Sequence, residues 1–203
     1  MRLDRIGVST ALAALGDHLE QESEDGIEIV VCGGSALQAL GLVDRTTRDV
    51  DVLALVDGSA DGSSALVSAQ PLPPVVVEAA RIVARDFGLT VDWLNPGPTD
   101  LLSQGLPEGL AGRLHTRRFG RKLIVQFIDR LDQICLKTYA AVNGGSPHHL
   151  TDLRALRPSD DEMLMAVRWC LTQDASEVFP GLVRSFLEKV GYSNVAEQLE
   201  TDS

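Results

Sequence analysis

Apolar positions recur along this chain with two different periods. Leu12, Leu15 and Leu19 follow helical spacing and predict a helix over residues 9–22, with Ser9 as its cap. Ile27–Cys32 is a short apolar run rich in β-branched residues, which predicts a buried strand. Gly33-Gly34 breaks that run, Ser35 takes the position of a helix N-cap, and residues 36–42 continue as a short helix ended near Gly41. A second strand is predicted over 50–56. Its entry alternates as Asp49, Val50, Asp51, Val52, so the two aspartates project from one face.

Residues 57–74 are rich in Gly, Ser, Ala and Pro and read as a long loop beside those aspartates, one that could order over a ligand. Pro74–Phe87 suits a helix, with proline in its first turn and Gly88 just past its end. Residues 89–94 read as a strand, and 99–109 as a loop with a helical turn near Asp100. Residues 113–119 and 122–128 form a hairpin across Gly120-Arg121. From 129 onward the pattern is helical: 129–142, a segment after Gly144-Gly145, one opened by a Ser159–Glu162 capping box, Phe179–Val190 and 194–199. Trp169 is expected to pack on the preceding helix. The fold class is therefore α/β (α+β). A mixed sheet flanked by helices is expected over residues 1–128, and a C-terminal helical bundle packed on that core over 129–203.

Composition supports a folded core, with 44% hydrophobic residues in 203. No apolar run approaches the length of a membrane span and the start lacks a signal-peptide pattern, so a cytoplasmic location is expected. Cys32, Cys135 and Cys170 lie far apart in apolar contexts and read as reduced core residues. The net charge of −11 argues against non-specific nucleic-acid binding over the whole surface. One basic cluster interrupts it, comprising Arg113, His115, Arg117, Arg118, Arg121 and Lys122 on the expected hairpin.

Two carboxylates on one face of a strand repel each other and need a neutralising partner. A divalent cation with oxygen ligands, Mg²⁺ or Mn²⁺, is the common answer for a pair such as Asp49 and Asp51. The Gly33-Gly34-Ser35 turn offers backbone N–H groups suited to an anion. Each half alone reads as a solvated strand start or a plain turn. Together they suit a nucleoside triphosphate with its metal.

The stretch GGSALQALGLVDRTTRDVDV resembles the nucleotidyltransferase superfamily, with its polymerase-β-like fold. It is most similar to the AbiEii-like and MenT-like branch, whose members are toxins or relatives of toxins in bacterial toxin–antitoxin and phage-defence systems. Arg45, Thr46, Thr47 and Arg48 belong to the resemblance. It implies a lysine in the helix after the hairpin and an Asp-Leu pair beyond it, which Lys137 and Asp152 match. Where that family often carries Arg, Lys and Asp ahead of the second motif, this chain reads Gly144-Gly145-Ser146-Pro147-His148-His149. The two histidines are adjacent, so on a helix they do not share a face for a metal.

The resemblance implies a metal-dependent nucleotidyltransferase that moves a nucleotide from an NTP to an RNA (a tRNA 3′ end, for example) or a protein acceptor. Asp49 and Asp51 would hold the metal; Gly33, Gly34, Ser35 and Arg48 would hold the nucleotide; Lys137 would offset phosphate charge, with Asp152 in the same catalytic set. A third carboxylate is expected from Asp92 or else Asp129, and Arg117, Arg118 and Arg121 would meet the acceptor. Partners implied are an NTP, that acceptor and a cognate toxin or antitoxin, with no membrane. The competing reading is a catalytically inactive relative kept as a binding module or antitoxin-type partner. A third is an acidic interaction protein with no active site.

Overall fold

The computed structural model describes residues 3–58 and 64–201 as a mixed α/β chain in two compact units, Met1–Asp129 and Arg130–Ser203.

The first unit opens with α1 (Arg5–Glu22), β1 (Ile27–Cys32) and α2 (Gly33–Ala39). The strand β2 (Val50–Gly58), β3 (Ser64–Val67), α3 (Pro74–Phe87) and β4 (Leu94–Asn95) follow, then α4 (Leu101–Gln104) and the hairpin of β5 (His115–Phe119) and β6 (Leu123–Phe127). The sheet order is β3-β2-β1-β6-β5, with β4 also on β2. β1 runs antiparallel to β2 and parallel to β6, so the sheet is mixed.

Leu12, Leu15 and Leu19 of α1 and Val76, Ala79 and Val83 of α3 are buried in one core with the inward residues of β1, β2 and β6. That core decides where the acids point. Val50 and Val52 face it, and Leu55 packs against it. The step from 52 to 55 is odd because the β1 register passes from Val30↔Ala54 to Val31↔Val52, leaving Leu53 as a bulge. Asp51 pairs with Cys32 across the strands, and alternation turns it away from the core.

Four local expectations need correction. The first helix starts at Arg5, not Ser9, because the Asp4 carboxylate accepts from the Gly7 N–H at 2.7 Å and supplies the cap. α2 starts at Gly33 itself, so Ser35 lies inside its first turn and is not the cap. The expected loop 57–74 carries β3, an edge strand with a mostly exposed face whose partner β2 dictates it; residues 59–63 lie outside the described ones. The expected strand 89–94 is largely a turn. Trp93 N–H donates to the Thr90 carbonyl at 3.2 Å, and only Leu94–Asn95 pair with β2. Burial of the Trp93 indole, which donates to the Ala80 carbonyl at 2.9 Å, directs that turn and leaves Val91 85% exposed.

The second unit holds α5 (Arg130–Val142), α6 (Pro147–Leu156), α7 (Asp160–Gln173), α8 (Phe179–Val190) and α9 (Ser193–Thr201). The capping box is present: Ser159 accepts from the Glu162 N–H, and the Glu162 carboxylate accepts from the Ser159 N–H at 2.9 Å. Tyr139 of α5 meets Trp169 of α7 and Phe179 edge-on, at centroid distances of 5.9 and 6.0 Å, so the ring contact of Trp169 is with α5 and not with the immediately preceding α6. All three cysteines are buried and outside any disulfide. Burial pushes the Cys170 thiol far up, and it stays a neutral core residue. Among the described residues no helix is long and apolar enough to cross a membrane.

Candidate functional site

Each glycine of the Gly33-Gly34 pair makes room for a different group. Gly33 has φ 70°, the left-handed region that side chains avoid. A Cβ there would also overlap Asp51 Oδ2 and lie 3.1 Å from Asp51 Cγ. Gly34 instead faces the next loop: its Cβ would sit 3.0 Å from both Arg45 Nη2 and Thr47 Oγ1. The turn therefore closes around the DxD carboxylate on one side and around the residues that precede it on the other.

The 41–49 segment is held from several directions. Leu3 and Thr47 exchange backbone hydrogen bonds at 2.8 Å, and the buried Gln38 amide donates to the Arg45 and Leu3 carbonyls. Thr47 Oγ1 lies 3.2 Å from Asp49 Oδ1, to which it donates. Asp51 Oδ1 accepts from Asn95 Nδ2 at 3.0 Å, and Asn95 Oδ1 accepts from the Gly97 N–H at 3.0 Å. Both aspartates are half-buried. The two donors named, a hydroxyl and an amide, are neutral and bring no charge of their own. A pair of hard, charged oxygen donors fits Mg²⁺ or Mn²⁺. Among the described residues no group of three or more His, Cys, Asp or Glu gathers to hold a metal.

The other expected groups fall as follows. Ser35 is fully buried, and its hydroxyl donates back to the Cys32 carbonyl at 3.3 Å. Arg48 is exposed. Asp92 is exposed in the turn ahead of β4, and the residue paired with Asp51 across that strand is Asn95. Asp129 follows β6 and pairs with His115, Oδ2 to Nε2 at 2.8 Å. Asn95, Arg45 and Thr47 are the contributors that side-chain type alone did not single out. The signal for Arg45 and Thr47 was their place in the RTTRDVD run.

The basic hairpin is mostly committed within its own unit. Arg117 donates to the Ala39 carbonyl at 2.5 Å and stacks 5.5 Å from the Phe127 ring centre. Arg121 binds Glu20 through its backbone N–H and its guanidinium, Lys122 donates to the Glu24 carbonyl, and Arg113 donates to the Glu108 carbonyl. Arg118 is exposed, and its guanidinium has no hydrogen bond or ion pair among the described residues.

In the second unit Lys137 and Asp152, which the resemblance groups together, form an ion pair at 2.8 Å. They are 6% and 1% exposed. Asp132 and Gln133, on the same helix as Lys137, are fully buried too. His148 is exposed at the start of α6, whose cap is Ser146.

Comparison with known proteins finds no matching family model, no matching curated protein and no matching solved structure.

Proposed function

We propose that this chain is a metal-dependent nucleotidyltransferase, resembling the AbiEii-like and MenT-like branch and acting in the cytoplasm. The observation that carries the reading is the fit of Gly33 against the Asp51 carboxylate, with Gly34 fitted to Arg45 and Thr47. A plain turn followed by solvated acids would require neither fit. Asp49 and Asp51 are the residues that would hold Mg²⁺ or Mn²⁺, which when bound would offset the charge of an NTP triphosphate. The chain's own residues do the rest. Thr47 and Asn95 orient the two carboxylates, each through one oxygen. Arg45 on the glycine turn and the exposed Arg48 supply positive charge toward phosphate oxygens. Lys137 and Asp152 enter through the resemblance, as the cation that stabilises transferred phosphoryl charge and the acid that fixes it. Arg118 is the hairpin cation available to an RNA or protein acceptor. A cognate toxin or antitoxin partner belongs to the same reading.

A second reading has its own support. Asn95, not a carboxylate, stands beside Asp51 on β4. An amide there suits a site that binds a nucleotide without transferring it, as an inactive relative or antitoxin-type partner would.

Calorimetry with each of the four NTPs, in Mg²⁺ and then in EDTA, tests both. Metal-dependent binding that Asp49→Asn with Asp51→Asn abolishes supports the site, and label transfer to an acceptor then separates enzyme from binding module. Binding unchanged in the double variant overturns the metal assignment.

A further inference from the structure

The end of α6 carries a feature that the nucleotidyltransferase reading does not use. Arg157 follows Leu156 with φ 49° and ψ 62°, the one non-glycine residue at positive φ among the described residues. Helix ends of this kind favour glycine, and the same chain uses Gly88 and Gly191 at the ends of α3 and α8. The local backbone gives no reason for an arginine. The carbonyls of Leu156 and Arg157 already accept from Arg130 Nη2, at 2.6 and 3.1 Å, and Arg130 is itself paired with Glu162 at 2.5 Å. Arg154, in the last turn of α6, suits the negative end of the helix dipole, but that leaves Arg157 unexplained. Both guanidinium groups are exposed, and neither has a hydrogen bond or ion pair among the described residues.

The two arginines line a cavity of about 270 Å³ whose other walls include Leu153, Pro158, Val190 and Tyr192. The Tyr192 hydroxyl donates to the Pro158 carbonyl at 2.6 Å, which fixes the ring in place. Burial, and then the nearby Asp160 and Glu162, push that hydroxyl's pKa up, so it stays a neutral donor. The pocket thus joins two planar, permanently charged forks to a rigid apolar and aromatic wall. Guanidinium forks match phosphate oxygens in pairs, and a tyrosine face accepts a flat ring. The volume lies near the lower end of small-ligand pockets, roughly 300 Å³, which suits one nucleotide or less.

We propose that this cavity binds a phosphate monoester carried on a planar body: a nucleoside monophosphate, or the terminal nucleotide of an RNA. Of the acids near it, Glu162 is paired with Arg130, while Asp160, whose contact is the neutral Asn194 amide at 3.5 Å, keeps its charge. Two arginines against that one carboxylate still give the pocket a locally positive face on a chain whose net charge is −11.

The test is calorimetry on the full chain in EDTA, with AMP, adenosine and inorganic phosphate as probes. AMP should bind more tightly than either half of itself. Arg157→Gly should weaken AMP about tenfold, as expected for one charge-assisted contact, while thermal stability is unchanged or higher because glycine suits that φ. Tyr192→Leu should reduce AMP to the affinity of phosphate. The Asp49→Asn/Asp51→Asn variant should bind AMP as wild type does, so failure here and failure of the metal site are separate results. A 5′-phosphorylated triribonucleotide run in parallel identifies the source: tighter binding than AMP points to an RNA end, equal or weaker binding to the free nucleotide. AMP bound no better than inorganic phosphate, or bound equally by wild type and Arg157→Gly, overturns the proposal.

Discussion

Each unit of this protein holds a polar cluster centred on carboxylates, and the two are built in opposite ways. In the first, Asp49 and Asp51 are half-buried at the start of β2 and touch a hydroxyl and an amide. In the second, Asp152 is sealed among helices and faces a full cation, Lys137. The first arrangement meets its carboxylates with neutral donors where solvent still reaches. The second settles its charge internally. The difference sets how much each cluster contributes to stability. A half-buried pair can be neutralised with little effect on the fold, whereas a buried pair cannot lose one member without leaving a stranded charge.

The sharpest way to break this contrast is Lys137→Met. With Asp152 left buried and unpaired, unfolding by denaturant should show a loss of about 3–5 kcal/mol. Lys137→Met with Asp152→Leu should recover most of that loss, because a well-packed apolar pair often replaces a buried ion pair at no net cost. A single variant as stable as wild type would mean the pair is hydrated, and the contrast between the units would vanish.

Next in size is Gly33→Ala. The left-handed φ accounts for about 1–2 kcal/mol and the overlap with Asp51 for about 1–3 more. Gly88→Ala is the matched control, since Gly88 has φ 62° with nothing within 4 Å of its Cβ position. The excess of the first loss over the second isolates the glycine–carboxylate fit. Asp51→Ala added to Gly33→Ala should remove that excess, and an excess that survives would show that the carboxylate is not its source.

Smaller still is the effect of Asp49→Asn with Asp51→Asn on stability, less than about 1 kcal/mol, in line with substitutions outside the packed core. The same variant is expected to abolish metal-dependent nucleotide binding. A loss of several kcal/mol by thermal unfolding would show that these acids carry stability as the buried Asp152 does.

How much of this was legible in the chain depends on where each signal lay. α3 and α8 were read to the residue because proline in the first turn and a following glycine are local marks. The Ser159 capping box was equally local. β3 was missed because its Ser64–Val67 segment is a strand only by virtue of its partner β2. Asn95 could not be chosen over Asp92, because the indole of Trp93 decides where the turn ends and that depends on Ala80 of α3. The basic cluster was visible as charge, but its partners Glu20 and Glu24 lie about a hundred residues earlier in the chain. A one-dimensional reading sees cations; only the fold shows which are already spent on the protein itself.

That last distinction gives the mildest prediction. Glu20 near the end of α1 accepts from the Arg121 backbone N–H at 2.5 Å and from its guanidinium at 3.2 Å, tying the helix to the hairpin turn. The backbone hydrogen bond first, and then the guanidinium, hold its carboxyl below the usual value of 4.5. A lowered folded-state pKa adds stability that is present above 4.5 and is lost as pH falls through the lowered value. Glu20→Gln should therefore lower the thermal midpoint slightly at pH 7, and the gap to wild type should close on acidification below pH 4.5. High salt at pH 7 should narrow it as well, because the Arg121 side chain is largely exposed. A gap that persists in acid would make the tether one of shape and not of charge: the Glu20 carboxyl would then be acting through its close fit to Gly120, where a Cβ would meet Oε1 at 2.6 Å.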